Sequence, residues 1–430
     1  MPASNSQTVS RRVIGAMFTL AVVIMFVLSG GIMWELGVNY DGLAGSTATK
    51  IHPSTYLVFA TFALLVVARR NPASFLARFI TRYPGPLAFL IATMLLGAYI
   101  ILGNRHGIAV IFDTYLLAVL VGVIACEVDD GDLARIETLL HIFFIANASF
   151  GLFEYVIDHR YFPYRFDGAP FEMDRRSAAF LGHPLANAVM TGTYIVTLLG
   201  GGGSGLPKPL RAPVVLLELA AMVPFGGRTA LLLTCAMLVV WLLWQGVMVL
   251  RGRRMSLLGA AALAIAAPVA ALVVGAFAFG GFFHLIAARF ANDGGSALTR
   301  LEMFEIFNSL SLRDIIVGGD YEILESIRRS RGLEWGVENP VVRLVLYQGA
   351  VFTGLLVIGF VLFMLDLSRR LRRGSAMAFF FFLFVINSFE SIANKSIMLA
   401  QFVVIILVMF RQDLLHREPV WPHRQQMAYT

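Results

Sequence analysis

The chain has 430 residues, of which 58% are hydrophobic and only 14% charged, with a mean hydropathy of +0.76. Soluble domains carry about 25% charged residues, so a soluble fold lacks the polar surface to cover this much apolar material, and a disordered chain would be apolar-poor. The formal charge of +7 fits Arg and Lys concentrated on one side of a membrane, and no nucleic-acid partner is expected.

About twelve stretches approach the roughly 20 apolar residues that a spanning helix requires. In chain order they are Val13–Met33, Ser54–Ala68, Pro86–Leu102, Ile108–Cys126, Thr138–Ile157 and Leu185–Leu199, then Ala212–Val223, Thr229–Leu250, Leu257–Phe279, Val341–Leu365, Ala376–Phe389 and Ile397–Phe410. The chain therefore reads as one all-α polytopic membrane domain over 1–430. Arg11 and Arg12 precede an apolar run too long for a signal peptide, so the first helix is expected to be an uncleaved anchor.

Basic clusters set the orientation. Arg69, Arg70, Arg78 and Arg82, then Arg251, Arg253 and Arg254, then Arg369, Arg370, Arg372 and Arg373 all fall on the side of Arg11 and Arg12 if spans alternate. The positive-inside rule puts that side, and both termini, in the cytoplasm. The opposite face carries Trp34–Pro53, Gly103–Gly107, Asp158–Pro184, Pro224–Arg228, Glu390–Ser396 and a large loop, Gly281–Pro340, between the ninth and tenth spans. In that loop Leu298 to Leu310 shows helical spacing of apolar residues.

Three outer segments hold arginines where that rule disfavours them: Arg176 ahead of Gly182-His183-Pro184, Arg228 after Gly226-Gly227, and Arg300 in Thr299-Arg300-Leu301-Glu302. A guanidinium fork donates paired hydrogen bonds and keeps its charge, so a convergent trio suits a phosphate or diphosphate; each also has a plain use as an anchor to lipid headgroups. His183-Pro184 starts a helix, with His183 open to a capping or a catalytic role. Glu338-Asn339-Pro340 starts another, for which Asn339 as cap and Pro340 in the first turn suffice, leaving Glu338 as a candidate base; Glu35 and Asp41 are rival carboxylates. No metal-ligand spacing accompanies these residues, so no metal or cofactor is expected. Asp130-Gly131-Asp132 and Arg328-Arg329-Ser330-Arg331 read as solvated stretches.

These elements resemble the O-antigen ligase and polysaccharide polymerase superfamily, the Wzy-like and WaaL-like membrane glycosyltransferases, over most of residues 140–365. The resemblance rests on Arg176 through His183-Pro184, on Gly227-Arg228-Thr229-Ala230, on Thr299-Arg300-Leu301-Glu302 with Val317-Gly318-Gly319, and on Glu338-Asn339-Pro340 through Arg343, Leu344 and Gly349. The family's usual His is Glu338 here, and Gly182-His183-Pro184-Leu185 is closer to the exopolysaccharide polymerases. The resemblance implies a GT-C-like, metal-independent glycosyltransferase of the bacterial inner membrane that joins undecaprenyl-diphosphate-linked oligosaccharides at the periplasmic face. Arg176, Arg228 and Arg300 would bind the diphosphate, and Glu338, with His183 second, would take the acceptor proton. Polysaccharide export and chain-length proteins would be its partners. An O-antigen ligase acting on lipid A-core is the alternative within the class. A transporter of lipid-linked sugars, which would use in-span acids such as Asp113 and Glu218, is the alternative outside it.

Overall fold

The computed structural model describes residues 3–42, 45–69, 71–166, 168–171, 174–252, 302–333, 336–337, 339–387 and 392–411. Arg300 and Glu338, the expected ninth span and the expected helical residues 298–301 lie outside these described residues.

The described chain is almost entirely helical; a ladder of two residues per strand, β1 (Arg165–Phe166) against β2 (Ala169–Pro170), is the exception. The helices are α1 (Ala3–Val27), α2 (Gly30–Glu35), α3 (Pro53–Val67), α4 (Pro72–Arg82), α5 (Pro84–Leu102), α6 (Ile108–Ala125) and α7 (Asp130–Val156). They continue with α8 (Pro184–Leu199), α9 (Lys208–Phe225), α10 (Arg228–Leu250), α11 (Leu312–Val317), α12 (Tyr321–Ser330), α13 (Pro340–Gln348), α14 (Ala350–Arg369), α15 (Ser375–Ile386) and α16 (Met398–Met409). Six of them, α1, α5, α6, α7, α10 and α14, are long and apolar enough to cross a membrane. The shorter apolar helices are α3, α8, α15 and α16.

Burial separates two kinds of apolar helix. In α16 every residue is buried, as is every residue of α6 from Leu117 to Ala125. These are apolar on all sides because protein surrounds them. By contrast, α10 exposes Leu232, Val240, Leu243 and Trp244. Such a surface is stable only against lipid. At 1.5 Å per residue, α10 spans about 35 Å and α16 about 18 Å, but length alone does not decide burial, since α15, as short as α16, exposes Phe380 and Phe384. Close approach comes from small residues: a Cβ at Gly85 would lie 2.6 Å from the Leu362 carbonyl and one at Gly359 would lie 3.0 Å from the Phe89 Cα, so α5 and α14 pack along one another.

Four local breaks depart from the expected spans. The first span ends at Val27, and a separate short helix, α2, follows Ser29. The tenth divides at Gly349, whose φ of 84° ends α13 before α14 begins. The basic segment expected as a loop contains α4, an amphipathic helix with Phe75 and Phe79 buried. Asp130-Gly131-Asp132, expected as a solvated loop, forms the first turn of α7, where Asp130 pairs with Arg411 and Asp132 with Arg135.

Arginines of two of the three basic clusters, with Arg11, meet at one end of the bundle. Arg11, Arg69, Arg78 and Arg82 line one pocket, and Arg370 donates to the Arg82 carbonyl at 2.5 Å. At the other end Glu35 pairs with Arg165, Lys395 donates to the Tyr40 carbonyl at 2.6 Å, Arg105 reaches Gly318, and Ser177 N donates to the Pro224 carbonyl. Within 302–337 the large loop builds its own small core from Met303, Ile306, Leu324, Leu333 and Val337, closed by Val342 and Leu346 of α13. The expected helix there is helical at 302–305 and continues as a 3-10 turn, Ile306–Ser309. Arg328 and Arg331, expected to be solvated, are paired: Arg328 is 9% exposed and bound to Glu325, while Arg331 reaches Glu302 and Glu305.

Candidate functional site at one end of the helices

The segment before α8 is held by polar side chains that project from inside the helices. Glu154 of α7, fully buried, accepts from Ser177 Oγ, Ala179 N and Tyr161 N. Asn147 of α7 accepts from Phe180 N at 3.0 Å and donates to Asn187 of α8 at 2.8 Å. These straps hold Ala179 at a left-handed φ of 38°, which a non-glycine residue adopts only when its surroundings compel it.

Three expected site residues cluster on this frame. His183 is the N-cap of α8, and its Nδ1 accepts the Leu185 N–H at 3.1 Å while its ring meets Tyr164 edge-on at 4.4 Å. Burial, then the charge of Arg176, pushes its pKa down to about 4. The ring is therefore neutral near pH 7, with its lone pair already engaged at Nδ1 and its proton on Nε2. That arrangement is a helix cap, and proton abstraction by His183 would require giving up the helix start. The guanidinium of Arg176 is engaged by Asp174, with Nε–Oδ1 at 2.8 Å and Nη2–Oδ2 at 2.6 Å. Burial raises the Asp174 pKa, but the hydrogen bonds and charge of Arg176 outweigh it, so the carboxyl is held below its usual range. Arg228 is the first residue of α10, after a turn in which Gly226 is left-handed and Gly227 touches α8. A Cβ at Gly227 would lie 2.5 Å from the Ala188 Cβ, so only glycine lets the α9–α10 turn seat on the first turns of α8. Arg228 and His183 thus stand at neighbouring helix starts.

A second feature lies in the same layer. A cleft of about 710 Å³ opens between α5, α6, α13 and the folded part of the large loop, and its polar wall includes Arg105, Arg313, Arg343, Asp320, Tyr347 and Asn394. Two glycine turns build it. A Cβ at Gly318 would lie 2.8 Å from the Tyr347 carbonyl, and one at Gly349 would lie 2.4 Å from the Ile316 carbonyl. The glycines of two motifs separated in sequence therefore meet back to back. Arg105 fastens the junction, donating to the Tyr347 and Gly318 carbonyls at 3.1 and 3.3 Å and lying over the Tyr99 ring. Arg343 lies over Tyr347, 5.2 Å from the ring centroid. Asn339, next to Glu338, caps α13 as expected, accepting from Val341 N and Val342 N.

Between cleft and cluster lies a polar latch. Residues Ile111–Leu116 of α6 form a π turn, a local widening that often accompanies function and here re-aims consecutive side chains. Asp113 accepts from Tyr40 Oη at 2.9 Å, His52 N at 3.0 Å and Thr55 Oγ1 at 2.6 Å. Thr114 and Tyr115 donate to the carbonyls of Asn394 and Ile392. Lys395 sits over the Tyr40 ring and 4.0 Å from Asp41. Burial raises the Asp41 pKa against the pull of Lys395, Lys50 and Arg165. Glu35, the other rival carboxylate, pairs with Arg165 at 3.4 Å, and Arg165 stacks over Trp34.

His52 makes the latch sensitive to acid. It is 1% exposed, its Nδ1 accepts from Ser54 N, and its Nε2 donates to the Leu28 carbonyl. Burial lowers its pKa from 6.5 to about 4. Because the folded pKa is depressed, this contribution is complete above pH 6.5 and falls as the unfolded chain takes up a proton that the folded chain refuses. The loss should reach about 2 kcal/mol by pH 4.5. Thermal unfolding in detergent between pH 7 and 4.5 should show that slope. In His52→Asn it should be roughly halved, since His183 contributes with the same sign; an unchanged slope would assign acid sensitivity to other groups.

Arg105 and Lys395 were missed in the sequence, although the argument that singled out Arg176, a cation on the disfavoured face, applies equally to both. Arg313, in the large loop of that face, met the same argument and was missed too, whereas Tyr347 gave no signal, because only the meeting of the two glycine turns brings it to this wall. No protein-family model, curated protein or solved structure matches the chain.

Proposed function

We propose that the protein is a membrane glycosyltransferase of about twelve spans, a polysaccharide polymerase acting on oligosaccharides linked to a polyprenyl diphosphate. The observation that carries this reading is the cleft. Arginines, carboxylates and tyrosine faces on its polar walls suit an oligosaccharide, and its apolar wall of Leu96, Ile100 and Ile111 belongs to helices of the membrane domain. Arg228 and Arg300 grip the diphosphate, whose charge grows as the glycosidic bond breaks. Glu338, one residue before the cap of a cleft-lining helix, takes the proton of the acceptor hydroxyl. The sugar passes from the donor diphosphate to the acceptor oxygen, and the polyprenyl diphosphate leaves with the bonding electrons.

A transporter of lipid-linked sugars is the second reading, favoured by Glu218 of α9, which is fully buried with neither carboxyl oxygen hydrogen-bonded among the described residues. Asp113, the second acid that this reading singles out, already serves the latch.

A deletion strain separates these readings through its lipid-linked products. Single repeats exposed on the outer leaflet are expected of a lost polymerase. Full-length polymer left on the carrier would indicate a ligase, and repeats confined to the inner leaflet a transporter. Reporter fusions should place Arg254 and Arg373 in the cytoplasm and Asp167 and Asn292 in the periplasm; a cytoplasmic Asn292 would end the polymerase reading.

A further inference from the structure

Glu218 of α9 is fully buried, and neither of its carboxyl oxygens is hydrogen-bonded among the described residues. No described cation lies near enough to hold it as an anion. An ionised carboxyl without a partner is disfavoured there against the neutral acid, and ionisable groups inside membrane bundles recur in proton relays. The helix packs on α7 and α8 and touches α10. From α8 the titratable neighbour is Tyr194, and from α7 they are Glu137 and His141; Glu154 of α7 is spent on Ser177 and Ala179. Arg211 stands earlier in α9, and α10 beyond Arg228 carries no charged side chain and one thiol, Cys235.

A line of polar side chains leads from Glu218 toward the start of α7. Glu218, Arg211 and Glu137 are the titratable groups near enough to act on Tyr194. The Tyr194 hydroxyl is hydrogen-bonded to His141 Nδ1 at 2.7 Å. The other ring nitrogen, Nε2, has no hydrogen bond among the described residues and lies 3.9 Å from Glu137 Oε1. Glu137 takes Arg411 Nε at 2.7 Å, and Arg411 also holds Asp130, which is half-exposed at the start of α7. The glycine-rich turn after α8 covers this line. Gly205 N donates to Glu137 Oε1 at 2.6 Å, a Cβ at Gly203 would lie 3.0 Å from His141 Cε1, and Arg211 Nη2 donates to the Gly203 carbonyl at 2.8 Å. Phe144 stacks on the Tyr194 ring, 4.4 Å between centroids. Glu137, His141, Tyr194 and Glu218 are all at most 5% exposed, so a proton reaches Glu218 through side chains rather than through bulk water.

We propose that Glu218 is a proton-binding site inside the bundle, filled and emptied through Tyr194, His141 and Glu137. A proton passed from Glu137 to His141 Nε2 releases the Nδ1 proton to the Tyr194 oxygen, and the Tyr194 hydroxyl gives its own proton to the Glu218 carboxylate. One proton leaves Glu137 and one arrives at Glu218; the phenol is unchanged and the imidazole has exchanged its tautomer. The last transfer uses a bridging water or a turn of the Glu218 side chain, since no hydrogen bond joins the two groups directly. None of these side chains lines the cleft, so failure of this proposal leaves the transferase reading untouched.

Infrared spectroscopy of the full chain in bilayers tests this. The wild type should show a protonated-carboxyl band that shifts when the chain is moved into heavy water and that is missing in Glu218→Gln. Glu218→Asp, which keeps an acid and guards against misfolding of the Gln variant, should move the band rather than remove it. Tyr194→Phe keeps the stack on Phe144 and removes only the hydroxyl. There the band should remain but exchange about 10²-fold more slowly, the scale of losing a positioned proton carrier. His141→Gln should slow the exchange likewise. A band unaltered by both Glu218 variants, a wild-type band that never exchanges in the folded chain, or wild-type exchange in Tyr194→Phe would each overturn the proposal.

Discussion

Glu338→Gln should lower polymer formation by about 10²–10⁴-fold, the usual contribution of a positioned base, at normal protein levels and with donor binding intact. Gln keeps the shape of Glu but accepts no proton. The competing role, a charge near the start of a helix, predicts far less. Asn339 already accepts from Val341 N and Val342 N, and Pro340 occupies the first turn, so α13 starts without help from Glu338. Losing a dipole interaction at an exposed helix end costs roughly 0.3–1 kcal/mol of stability and nothing in turnover. The two outcomes therefore differ by orders of magnitude in rate. Glu338→His, which puts another proton acceptor at that position, should recover part of the activity. Full turnover in purified Glu338→Gln would move the search to Asp41, which lies among Lys395, Lys50 and Arg165, and to Glu35.

Arg228→Lys should cost about 10²-fold in polymer formation, comparable to removing one preorganised donor from a developing oxyanion, because a point charge does not replace a fork on a diphosphate. Arg176→Lys should cost much less in rate, since that fork is spent on Asp174 and its chief work is local. There the expected loss is stability, about 1 kcal/mol for a partly exposed ion pair. Initial rates and melting temperatures of both variants, measured on the same lipid-linked donor, give the comparison. Equal rates for Arg228→Lys and the wild type would mean that Arg228 only anchors headgroups. A rate loss in Arg176→Lys as large as that in Arg228→Lys would mean that Asp174 yields the fork to the donor.

The sequence by itself determined the helical membrane character, the two classes of loop and the start of two helices. All of these are local quantities. Apolar length, the side on which arginines collect, and an Asn or His ahead of proline act over a few residues and need no partner. Thus Asn339-Pro340 and His183-Pro184 start α13 and α8 where the sequence put them, and Ser10–Val27 is apolar enough to cross a membrane. One local signal was passed over: Asp174, two residues before Arg176, was always close enough to take its fork.

Tertiary structure decided the rest, because each remaining feature needs two segments far apart in sequence. The cleft exists because Gly318 and Gly349 let two backbones touch. The π turn of α6 has its purpose only when Tyr40, His52 and Thr55 arrive to use Asp113, and the 392–396 segment to use Thr114 and Tyr115. Hydropathy also cannot say which apolar helices meet lipid. Both α16 and α10 are apolar, yet one lies inside and the other outside, and length does not choose: α15, with 12 residues like α16, exposes Phe380 and Phe384, while the 18-residue α6 is mostly buried, so the choice falls to which neighbours pack around each helix.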